Sequence, residues 1–70
     1  MSALMHIDLN GEPCRLMPNA TVADLLGQLD LAGRRVAVEV NHEIVPRSRY
    51  GEHALSSGDR VEVVHAIGGG

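Results

Sequence analysis

Hydrophobic and polar residues alternate over Met5, Ile7 and Leu9 with His6 and Asp8 between them, the period-2 pattern of a half-buried strand. Asn10-Gly11 follows, a dipeptide whose residues tolerate positive φ and which therefore predicts a tight hairpin turn. Cys14-Arg15-Leu16-Met17 forms the return strand, and Pro13, which lacks an N–H, places it at a sheet edge. The period then changes. Pro18-Asn19-Ala20 breaks the extended pattern, Thr21 is a helix N-cap, and Asp24 stands where a capping-box acid belongs. Val22, Leu25, Leu26 and Leu29 share the i, i+3, i+4, i+7 spacing of one apolar helix face. The helix is expected to end between Asp30 and Ala32, with Gly33 as the left-handed cap.

Strand periodicity returns at Val36, Val38 and Val40, alternating with Ala37 and Glu39. Asn41-His42-Glu43 turns towards a short run, Ile44-Val45-Pro46, and a loop through Tyr50 and Gly51 leads past Leu55 to the turn Ser56-Ser57-Gly58-Asp59. The last strand begins at Val61. The order is ββαββ, with the short run as a marginal extra strand. A hairpin, a crossing helix and further strands predict a two-layer α+β domain in which the C-terminal strand sits centrally beside the first.

The chain's 70 residues bound the answer to one small domain, with about 3–5 kcal/mol of net stability. Hydrophobic residues make up 44% of the chain but Tyr50 is its only aromatic, so Leu, Val, Ile, Met and Ala must build the core. An enclosed substrate cavity would consume that interior, which disfavours a free-standing enzyme. The formal charge of −3 is spread without blocks, which argues against a nucleic-acid footprint or a polybasic membrane patch. All six bases are arginine. With no lysine, few amines are available for isopeptide bonds to an activated carboxyl group.

Cys14 is the only cysteine. No intramolecular disulfide can form, and its place in a strand-like run predicts packing rather than reactivity. No secretory signal or apolar span of membrane length is evident, so the expected compartment is the cytoplasm. His6, His42, His53 and His65 lack the paired spacings of metal motifs, so no metal site is expected. Nor is there a phosphate-binding glycine loop or a nucleophile–base grouping, and no catalytic residue of its own is assigned.

The sequence given ends on Gly68-Gly69-Gly70 directly after Val61-Glu62-Val63-Val64-His65-Ala66-Ile67. The expected division is an ordered domain over residues 1–67 and a flexible glycine tail over 68–70. Fully extended, three residues without Cβ reach roughly 10 Å, thin enough to thread a narrow channel. The carboxylate of Gly70 is then the candidate reacting group, with Gly68 and Gly69 as the thread. Val64 and Ala66 are expected opposite Val61, Val63 and Ile67 on the last strand. One face must fill the core, and Val64, Ala66 and Ile67 are candidate docking residues near the tail. His65 interrupts the alternation and is expected to mark an irregularity. Arg47 and Arg49 are taken as solvated loop charges.

Leu9-Asn10-Gly11-Glu12, Thr21-Val22-Ala23-Asp24-Leu25-Leu26, Ala37-Val38-Glu39-Val40-Asn41, Ile44-Val45-Pro46-Arg47-Ser48, Leu55, Gly58-Asp59 and Val61-Glu62-Val63-Val64, followed by Ala66-Ile67-Gly68-Gly69-Gly70, occur in the order seen in the sulfur carriers of thiamine biosynthesis. Over nearly its whole length the chain resembles a ThiS-type β-grasp protein, the ubiquitin-like fold. The resemblance implies a mixed four- to five-stranded sheet with one helix across one face. It also implies that a ThiF-like adenylating enzyme uses ATP to activate Gly70, and that a cysteine-derived sulfur donor system converts it to a thiocarboxylate. A ThiG-like thiazole synthase would take that sulfur for the thiazole ring. On this reading the chain binds no cofactor itself and is a co-substrate of partner enzymes.

Two further families are similar. The small subunit of molybdopterin synthase shares fold and chemistry, but such subunits tend to be longer and to approach Gly-Gly through Pro-rich, aromatic-containing sequence, where this chain has His65-Ala66-Ile67. TGS-type modules resemble it across Thr21 to Asp24, Ala37 to Asn41 and Gly58 to Val63, and are interaction domains with no need of a glycine terminus. Conjugation to other proteins, as by ubiquitin-like modifiers, is a further alternative.

Overall fold

The structure is a computed structural model that describes residues 3–65 of the chain. Its elements are β1 (Met5–Leu9), β2 (Glu12–Leu16), α1 (Val22–Gln28), β3 (Val36–Val40), β4 (Glu43–Val45), a 3₁₀ turn (Arg47–Arg49) and β5 (Arg60–His65). The five strands form one mixed sheet in the order β2-β1-β5-β3-β4. β5 lies parallel to β1 and antiparallel to β3, in the centre of the sheet as expected. The short run after the second turn pairs as a full edge strand, Val38 opposite Val45 and Val40 opposite Glu43.

Turn chemistry sets both hairpins. Asn10 and Gly11 have φ of 52° and 87° and join Leu9 directly to its partner Glu12. Such paired positive φ values match the right-handed twist of the strands. Pro13 lies on the edge strand β2, as its missing N–H requires. The second turn needs only Asn41 and His42, at φ 53° and 72°, and Glu43 already belongs to β4.

Every N–H at the start of α1 has an acceptor, which such a short helix requires. Thr21 and Asp24 close the capping box: Asp24 N–H donates to Thr21 Oγ1 at 3.2 Å, and Thr21 N–H donates to Asp24 Oδ2 at 2.9 Å. The Val22 and Ala23 N–H groups donate to the His53 and Tyr50 carbonyls at 3.0 and 2.9 Å. The long loop before β5 is thus stitched to the helix start.

The other end departs from expectation. The helix stops at Gln28, and the left-handed residue that ends it is Asp30, φ 61°, not Gly33. Asp30 N–H donates to the Gly27 carbonyl and Leu31 N–H to that of Leu26, the paired bonds of a Schellman motif. Leu31 packs against the core, and its apolar anchoring holds Asp30 in a conformation usually left to glycine. Gly33, φ 80°, serves the following turn.

The apolar face of α1, Val22, Leu25 and Leu26, joins Met5, Ile7, Leu16, Val38, Val40, Val45, Leu55, Val61 and Val63 in one buried cluster. Leu16, Leu25, Val22, Val38 and Val61 are the largest fully buried side chains. Cys14 is partly buried against this cluster, in keeping with a packing role. Met17, expected as part of the second strand, lies beyond β2 and is exposed.

Candidate functional site

The strand order places the approach to the tail in the best-supported part of the sheet. β5 pairs with β3 from Val61 opposite Val40 through to His65 opposite Val36. His65, expected as an irregularity, is instead regularly paired within β5. On the other side β1 pairs only through Asp8 and Leu9, opposite Arg60 and Val61. Beyond that point Asn10 takes over: its Oδ1 accepts from Val63 N–H at 2.9 Å and its Nδ2 donates to the Val63 carbonyl at 3.1 Å.

Asn41, at the tip of the other hairpin, grips the start of the same strand. Its Oδ1 accepts from Arg60 N–H at 2.9 Å, and its Nδ2 donates to Asp59 Oδ1 at 3.0 Å. Asp59 Oδ2 also accepts from Ser56 N–H at 2.8 Å, which closes the turn that launches β5. Both hairpin tips hold the central strand.

On the face turned away from α1, Val64 is 57% exposed and lies opposite Ala37. Ile44, 72% exposed, lies opposite Glu39, which in turn faces Glu62 on β5. The structure thus brings Val64, a predicted docking residue, onto an open face with Ile44, which the sequence reading had not singled out. A signal for Ile44 was present: a turn at Asn41-His42 and a core-facing Val45 oblige its side chain to point outwards. A shallow hollow lined by Asp8, Asn10, Gly11, Arg60 and Glu62 lies beside the exit strand. Arg47 and Arg49 sit on the 3₁₀ turn and are exposed.

The predicted residues Ala66, Ile67, Gly68, Gly69 and Gly70, and the domain boundary expected between 67 and 68, lie outside the described residues. Among the described residues no three His, Cys, Asp or Glu side chains are grouped to hold a metal ion, and no helix is long and apolar enough to cross a membrane.

The model of the ThiS family matches residues 7–70. The chain belongs to the ThiS family. It is 38% identical over 65 residues to the sulfur carrier protein ThiS of Bacillus subtilis, covering 91% of this chain and 98% of that one. A crystal structure of the thiamine biosynthesis protein ThiS from Geobacter metallireducens superposes with a TM-score of 0.82 at 32% identity, covering 94% of this chain and all of that one. The expected ThiS-type membership and β-grasp fold are borne out. A thiazole synthase of Paramagnetospirillum magneticum is 47% identical over 66 residues, 94% of this chain but 20% of that protein. The ThiS-family chain thus spans about a fifth of the length of that relative, and the same share of a second thiazole synthase from Magnetococcus marinus.

Proposed function

We propose that this chain is a sulfur carrier for thiazole formation in thiamine biosynthesis, with Gly70 as the residue that is loaded. The observation that carries the reading is the placement of β5: a central strand, held on both sides, leads into the glycine run, and the family match extends to residue 70. A rigid domain with a thin terminal peptide separates recognition from chemistry. A partner grips the sheet while the terminus enters its active site.

In the form that ends at Gly70, a ThiF-like enzyme directs the carboxylate oxygen onto the α-phosphorus of ATP, and pyrophosphate leaves. The resulting acyl-adenylate has the leaving group that a carboxylate lacks. A hydrosulfide equivalent from a cysteine-derived donor attacks the carbonyl carbon, AMP leaves, and the thiocarboxylate holds a nucleophilic sulfur on the protein. Gly68 and Gly69 supply the thread, and Val64, Ala66 and Ile67 the docking contacts beside it. The acceptor is a ThiG-like thiazole synthase, in line with the relatives that carry such a segment within a longer thiazole synthase. The carrier binds no cofactor of its own and acts in the cytoplasm as a co-substrate.

The test is the intact mass of the purified chain after incubation with ATP, the adenylating enzyme and a cysteine-derived sulfur source, with fragmentation to locate any change. Replacement of one oxygen by sulfur at Gly70 is expected. An unchanged mass, with the enzyme active on a known carrier, would overturn the reading.

A further inference from the structure

We infer that Asn10 is a positioning residue for the tail, acting through a side-chain rung that replaces the part of β1 lost to the first turn. The regular parallel ladder runs from Asp8 N–H on the Asp59 carbonyl to Asn10 N–H on the Val61 carbonyl, both at 2.9 Å. The next two bonds of a parallel ladder would come from the carbonyl of residue 10 and the N–H of residue 12. The turn at Asn10-Gly11 carries both away from β5. A side-chain carboxamide has the donor and acceptor of a peptide group side by side. That of Asn10 satisfies Val63 N–H at 2.9 Å and the Val63 carbonyl at 3.1 Å, across 53 positions of sequence.

The turn alone does not require this residue. Positive φ at its first position is accepted by Asn, Asp or Gly. Only asparagine also offers one donor and one acceptor to the Val63 peptide; aspartate would set a second acceptor against the Val63 carbonyl. The rung holds Val63 from the β1 side, two residues before the end of the described strand. Without it, Val63 to His65 are held from the β3 side only, as in an edge strand.

The consequence rests on the carrier reading above. A tail that enters a partner's channel must be ordered on binding, and an exit strand ordered beforehand lowers that cost. Loosening the strand weakens productive docking and leaves the reaction of the docked tail unchanged. Asn41 is the internal control, because it grips the same strand with its own carboxamide but at the far end.

The experiment compares wild type, Asn10→Gly and Asn41→Gly, each shown to be folded by circular dichroism, in ATP–pyrophosphate exchange with the adenylating enzyme. Asn10→Gly is expected to raise KM for the carrier on the order of tenfold with kcat unchanged, while Asn41→Gly stays near the wild-type KM. Hydrogen exchange provides a reading without a partner: the Val63 amide is expected to exchange at least about tenfold faster in Asn10→Gly, with the Val38 amide unaffected. A wild-type KM for Asn10→Gly, an equal rise for Asn41→Gly, or unchanged Val63 exchange overturns this inference alone. A wild-type chain that is not adenylated overturns the carrier reading and this inference with it.

Discussion

The two faces of the sheet differ in what their apolar residues do. Against α1, Val38, Val40, Val45, Val61 and Val63 are nearly or fully buried in a continuous cluster. On the opposite face Ile44 and Val64 stand mostly exposed beside Ala37, Glu39 and Glu62. Valine therefore supports the fold at 63 and leaves it almost untouched at 64. Apolar surface that the domain does not need for stability is surface it can offer to a partner, and here it adjoins the strand that leads to Gly70.

The strongest attempt to break this contrast is Leu25→Ala, which removes a fully buried side chain from the covered face. It is expected to cost about 2–5 kcal/mol in urea unfolding, most of the stability of so small a domain. Thr21→Ala comes next, since it removes the acceptor for Asp24 N–H and half of the capping box that holds the covering helix. Its expected cost is about 1 kcal/mol, read as a fall in Tm of roughly 4–8 °C.

A smaller effect of opposite sign sits at the rim. His42 carries a Cβ in the left-handed region at φ 72°, and His42→Gly should stabilise the chain by about 0.5–1 kcal/mol, seen as a higher urea midpoint. The smallest effects on stability belong to the open face: Val64→Ser and Ile44→Ser should each change it by less than about 0.5 kcal/mol. On the proposed carrier reading, Val64→Ser should nevertheless weaken association with the adenylating enzyme, measured by titration calorimetry. A Val64→Ser cost comparable with that of Leu25→Ala would erase the distinction between the faces, and unaltered association would remove Val64 from the proposed docking surface.

Much of the fold was legible because its signals are local. Asn10-Gly11 specified a hairpin turn through backbone preference, and Thr21 with Asp24 specified a helix start through hydrogen bonds spanning three residues. The helix end was expected two or more residues late, between Asp30 and Ala32, and its left-handed cap at Gly33, because the stop depends on Leu31 packing into the core, which lets Asp30 take the left-handed position. Val64 was legible as a residue opposite Val61 and Val63, whereas the signal for Ile44 went unused because it depends on Val45 facing the core, which the pairing with the partner strand decides.

By itself the sequence determined the element types, the first turn, the cap of α1, the edge position of β2 and the resemblance to a ThiS-type chain. Each depends on interactions between near neighbours or on the order of residues. Only the tertiary structure decided which apolar side chains are covered, how β5 is held from both sides, and that Asn10 completes a ladder with Val63. Those outcomes join segments as much as 53 positions apart. A carboxamide at a turn finds the peptide it can imitate only when folding carries the central strand alongside it.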